Sequence, residues 1–104
     1  MYTVVLITAK DYEEARKISD ALLQEKLIAC ANIVQGVKSL FWWEGKIDNA
    51  DEALVVIKTK RNCLKEIIQR VKKLHSYSNP EVIALPIIEG NKDYLKWMDE
   101  SVKK

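Results

Sequence analysis

Histidine and cysteine are scarce in this chain: one His and two Cys among 104 residues. Two cysteines, Cys30 and Cys63, are too few for a disulfide framework and read as free thiols. The single histidine, His75, leaves no H-x-x-x-H pair, and there is no C-x-x-C, so no segment gathers several metal ligands by itself. No nucleophile stands beside a base in a recognisable motif, and one imidazole would have to serve every acid–base role; hydrolase or transferase chemistry is not expected. No apolar run approaches a membrane span. Met1-Tyr2-Thr3-Val4-Val5 lacks the charged start of a secretory signal, and the expected location is cytoplasmic. A charge bias is missing too. Seventeen Lys and Arg against 15 Asp and Glu give +2, with both signs interspersed, which excludes an electrostatically driven nucleic-acid binder. With no repeat, linker or low-complexity tract, residues 1–104 read as one domain.

What the chain does have is apolar surface in an unusual place. Phe41-Trp42-Trp43 stand in a row just before Glu44-Gly45-Lys46, which turns the chain, so large side chains point to both faces of a strand near a tight turn. One small core cannot bury both faces at the far end of a hairpin. Large exposed apolar patches mark interaction sites, and the expectation is that another chain covers this one.

The patterning gives the elements. Tyr2 to Thr8 is a β-branched apolar run, the pattern of a central strand buried on both faces. Asp11 opens a helix, with Glu14 at the capping-box offset and Tyr12, Ala15, Ile18 and Leu22 at helical spacing. Ala29 to Trp43 is extended, with a bulge or bend expected at Gly36. Ile47 to Thr59 returns, with a polar break over Asp48-Asn49-Ala50-Asp51. Asn62 is expected to cap a second helix carrying Leu64, Ile67, Ile68, Val71 and Leu74. Val82 to Ile88 is a fourth strand, and Asn91 or Lys92 begins a last helix with Tyr94, Leu95, Trp97 and Met98. The order β-α-β-β-α-β plus a helix is the α+β, ferredoxin-like sandwich, with both main helices on one face of an antiparallel sheet. Its central hairpin is too long for the helices. Fifteen residues reach about 50 Å, whereas a helix of about 15 residues covers some 22 Å, so the tip overhangs the domain.

That fold hosts many functions. Val34-Gln35-Gly36-Val37 looks like the phosphate loop of acylphosphatases, but it follows the first helix, and no helix N-terminus comes after it to collect N–H groups around an anion. Lys38 is the only cation nearby. An RNA-recognition module stacks bases on aromatics of its central strands, and Ala53 to Lys58 has none.

A third likeness runs through almost the whole chain. Cys30-Ala-Asn32, Phe41 to Ile47, Lys58-Thr59, His75-Ser76-Tyr77 with Pro80-Glu81-Val82, and Tyr94-Leu95-Lys96-Trp97 resemble, in order and spacing, the CutA family of divalent-cation tolerance proteins. Many members have proline after the histidine, where this chain has Ser76, a change expected to loosen the backbone. The resemblance implies a homotrimer whose hairpins join sheets between subunits, as in PII-type signalling proteins. It also implies a part in tolerance of copper and other divalent metals, with no established reaction and no obligatory cofactor.

The residues offer two metal donors. Cys30 is soft and His75 borderline, a pair suited to copper or zinc. Each has a plainer reading: Cys30, between Ala29, Ala31 and Ile33, as a small buried apolar residue, and His75 as a cap on the second helix. Cys63 reads as incidental. Glu52 and Lys58 share one strand face and, with Trp43, Tyr77 and Trp97, are candidates to line an inter-subunit cleft; their alternatives are exposed strand-end charges and packing. Two functions stay open: a metal-binding trimer, or a PII-like scaffold or sensor that takes a small ligand in the cleft and binds metal incidentally.

Overall fold

The computed structural model describes residues 1–104. Strands β1 (Tyr2–Ala9), β2 (Cys30–Trp43), β3 (Lys46–Lys60) and β4 (Val82–Pro86) alternate with helices α1 (Tyr12–Gln24) and α2 (Leu64–Leu74), and α3 (Lys92–Ser101) ends the chain. The strands form one antiparallel sheet in the order β2-β3-β1-β4. The ferredoxin-like arrangement with an added helix is therefore present.

A period of two puts Val5, Ile7 and Ala9 of β1 on the same face as Ala53, Val55 and Ile57 of β3, all buried. Ile18 and Leu22 of α1 and Ile67 and Val71 of α2 complete this core from helical spacing. β1 was expected to be buried on both faces, and in the chain it is not. Tyr2, Val4, Leu6 and Thr8 remain only half-buried, because both helices occupy the other side. That outer face is apolar, with Val34, Ile83 and Leu85 also exposed.

Local signals explain most element ends. The Asp11 side chain accepts the Glu14 N–H at 2.9 Å and caps α1, and Asn91 caps α3 through the Asp93 N–H at 3.0 Å. Asn62 does not cap α2. Arg61–Cys63 form a single 3-10 turn, and α2 starts at Leu64 without a side-chain cap. Cys63 is fully buried there, which turns Asn62 out to solvent. β4 stops at Pro86, short of the expected Ile88, at a residue with no N–H to extend a ladder. α3 closes the end of the sheet where β1 begins. Met98 enters the core, while Asp99 accepts the Tyr2 hydroxyl at 2.6 Å and pairs with Lys60 at 3.4 Å.

The hairpin overhangs as its length requires. β1 pairs with β3 only from Ala53 to Lys60, so Val37–Trp43 and Lys46–Glu52 have only each other. The molecule is drawn out to 44 × 26 × 22 Å. A bulge interrupts pairing between Val34 and Val37, at Gly36 with φ +74°, where left-handed backbone suits glycine. Glu44 and Gly45, with φ of +50° and +79°, form the two-residue turn. No break occurs at Asp48–Asp51: these residues stay in register with Lys38–Phe41, since cross-strand backbone pairing holds the strand whatever its side chains prefer. Leu40, Trp42 and Ile47 lie on one side of the ribbon and Phe41 and Trp43 on the other, all exposed.

Candidate functional site

Two groups of polar side chains flank the sheet. The first gathers where β1 ends, α1 begins and α2 ends. His75 follows the last residue of α2, and its backbone N–H caps the helix on the Val71 carbonyl at 2.8 Å. Its ring is fully buried. The Tyr77 N–H donates to Nδ1 at 3.0 Å, so the ring proton belongs on Nε2, which donates to the Thr8 carbonyl at 2.7 Å. Glu14 stands 3.8 Å from Nδ1 and accepts the N–H groups of Lys10 at 3.0 Å and Ser76 at 2.8 Å. Burial pushes the Glu14 carboxyl up, but these donors outweigh it and hold it below the usual glutamate range. Ser76 thus fastens the backbone where loosening was expected, through an N–H that a proline would lack.

The same loop reaches the hairpin. The Tyr77 hydroxyl donates to Glu52 at 2.7 Å, and its ring lies 4.6 Å from that of His75. Burial first, and then the Glu52 carboxylate, push the Tyr77 phenol well above its ordinary value. Burial and the Glu52 charge likewise raise Glu81. Glu52 sits beside the bulge, in an open hollow of about 200 Å³ with Lys10, Asp11 and Gly36.

The second group lies on the outer face at the α3 end of the sheet. Cys30 pairs with Lys58 across the ladder. Asn32 takes a hydrogen bond from the Lys58 ammonium and lies 3.9 Å from the Cys30 thiol. Partial burial and the neighbouring Cys30 raise the Tyr94 phenol, and the Tyr94 ring packs against Trp97 at 5.3 Å.

The candidate residues therefore fall into two sets. Glu52 and Tyr77 meet, with His75 beside them; Cys30, Lys58 and Trp97 share the other end; Trp43 stands apart near the hairpin tip. Cys30 and His75 do not converge. Lys58 pairs with Val4, and Leu54 with Thr8, so the two donors are offset by four residues, about 13 Å along the strands, and lie two strands apart across the sheet as well. No group of three or more His, Cys, Asp or Glu side chains is placed to hold a metal ion. Glu52 and Lys58 share the outer face, as their even spacing requires. The sequence reading missed Glu14 as more than a cap residue; the capping-box offset was its only local signal, while its partner Ser76 lies 62 residues away.

Residues 3–101 match the model of the CutA1 divalent ion tolerance protein family. The divalent-cation tolerance protein CutA of Thermus thermophilus is 46% identical over 101 residues, 97% of this chain and 98% of that one. The Archaeoglobus fulgidus protein of the same name is 45% identical over 103 residues, 99% of this chain and 100% of that one. The chloroplastic rice protein CutA 1 is 43% identical, and the chain spans 57% of its length. Among solved structures, the Thermus protein superposes with a TM-score of 0.96 at 45% identity, covering 98% of this chain and 99% of that one. A match over nearly the whole length, in sequence and in backbone, identifies the group: the chain belongs to the CutA1 divalent ion tolerance family.

Proposed function

We propose that this chain works as a homotrimer that binds divalent or copper ions without catalysing a reaction on them. The observation that carries the assembly is the overhanging ribbon: Trp42, Trp43, Leu40 and Ile47 are exposed on two sides of a hairpin that no other strand of the chain reaches. Three such hairpins, each added to a neighbour's sheet, close a ring and leave no free edge. The outer face of the sheet, largely apolar and left bare by α1 and α2, is the surface such a ring would cover. The metal reading rests on the family, whose relatives are named for divalent-cation tolerance. Of the two donors, Cys30 faces the uncovered side, so a soft ion there would draw its further ligands from other subunits. A second reading, a PII-like scaffold with a small ligand in the inter-subunit cleft beside Glu52, Tyr77 and Lys58, is favoured by the absence of a compact donor set within the chain.

Cytoplasmic placement belongs to the same proposal. The two cysteines are free and no helix is long and apolar enough to cross a membrane, while the solved Archaeoglobus relative is described as periplasmic. Titration calorimetry with copper separates the two functions. The metal reading expects tight, stoichiometric binding that weakens at least about tenfold in Cys30→Ala, the scale seen when groups around a metal site are removed. Equal binding by the parent and the variant removes Cys30 from the site, and a parent without stoichiometric binding leaves the scaffold reading.

A further inference from the structure

The chemistry of His75 offers a metal ligand, and its surroundings do not. An imidazole binds a metal through the lone pair of an unprotonated ring nitrogen. Here the Nδ1 lone pair is taken by the Tyr77 N–H at 3.0 Å, and Nε2 spends its proton on the Thr8 carbonyl at 2.7 Å. The ring is fully buried, and the only carboxylate facing it, Glu14, is itself held by the N–H groups of Lys10 and Ser76. Coordination at Nδ1 would orphan a backbone N–H, and coordination at Nε2 would strand a carbonyl and move the proton to Nδ1, against the Tyr77 N–H. A buried polar group left without a partner is costly, so either coordination mode works against the fold.

We propose that His75 is a positioning residue in its neutral, Nε2-protonated form, which ties the end of β1 to the loop after α2, sets Tyr77 on Glu52 at the base of the hairpin, and gives no lone pair to a metal ion. The chain of contacts is continuous: the Thr8 carbonyl, the imidazole, the Tyr77 backbone, the Tyr77 hydroxyl, and Glu52 beside the bulge. Each link joins a different part of the fold, so the ring holds the loop against β1 and the loop holds the hairpin root. The inference concerns one chain and stands whether or not copies assemble or Cys30 binds an ion.

Two-bond proton–nitrogen NMR spectra of the intact protein, recorded before and after addition of Zn(II), test it. The expected result is a protonated Nε2 and an unprotonated Nδ1, with both nitrogen shifts unmoved by zinc. A proton on Nδ1, or a ring nitrogen displaced by zinc, overturns the proposal. His75→Asn places an amide oxygen near the former Nδ1, and His75→Gln an amide N–H near the former Nε2, so each keeps one of the two bonds. Zinc affinity in whichever variant folds is expected to equal that of the parent; a loss of about tenfold or more, the scale of a damaged metal site, refutes the assignment. If neither variant folds, the spectra of the parent decide alone.

Discussion

Replacing Trp42 and Trp43 together by alanine separates the stability of the chain from that of its assembly. In the single chain the two residues are 73% and 53% exposed. Taking about 250 Å² for a whole indole side chain, some 300 Å² of the pair lies in water. At about 25 cal/mol per Å², covering all of it contributes up to about 8 kcal/mol for each chain in a complex. The isolated chain has little of this to lose, since exposed substitutions away from special features shift stability by about 0.5 kcal/mol. Association has most of it to lose, and each 1.4 kcal/mol is a tenfold change in a dissociation constant. The double variant should therefore fold, yet assemble more than about a thousandfold more weakly. Sedimentation equilibrium across a dilution series at micromolar concentration reads this directly. A parent sedimenting near the 12.0 kDa of one chain, or a variant that assembles as tightly as the parent, refutes the reasoning.

Glu14 predicts an acid limb in stability. Burial would raise its folded pKa, but the Lys10 and Ser76 donors lower it from the ordinary glutamate value, so the unfolded chain binds the proton first. The stabilisation is complete above that value and is lost as pH falls through the lower folded one. Glu14→Gln should lower the urea midpoint at neutral pH and flatten its fall below pH of about 4.5; an unchanged acid slope would place the effect elsewhere. Ile57 is fully buried between the helices and the sheet, and Ile57→Ala should cost about 2–5 kcal/mol in equilibrium denaturation, with a smaller loss showing that the core collapses around the gap.

The sequence carried the architecture because its signals were local. The helix start at Asp11, the bend at Gly36 and the turn at Glu44-Gly45 each act within a few residues, and each stands where its pattern placed it. The misreadings came from interactions at longer range. Asp48–Asp51 looked like a break because polar side chains were weighed without the backbone pairing supplied by β2. Asn62 looked like a cap because nothing nearby told that Cys63 would be drawn into the core and turn it outward. β1 looked buried on both faces because its composition suits a covered strand, while α1 and α2 both pack on its other side. At the candidate site the identities of His75, Tyr77 and Glu52 were legible and their bonds were not. That Glu14 would bind Ser76, and that the imidazole would reach back to Thr8, depends on where α2 delivers its last residue, which no local pattern encodes.

The long hairpin also shapes the order in which the fold can form. β2 and β3 meet through a two-residue turn, so their pairing closes almost no loop, and hairpins of this kind form in about 1–10 μs. β1 must wait for partners far along the chain: β3 on one side and, later still, β4 on the other. During synthesis the tryptophan-bearing ribbon is complete before α2, β4 and α3 have been made. The stretch of backbone easiest to organise thus also holds apolar side chains in water while the rest of the chain is made, the condition under which partly made chains stick to one another. The Gly36 bulge, by twisting the ribbon where it leaves the sheet, makes it a poorer template for edge-to-edge growth.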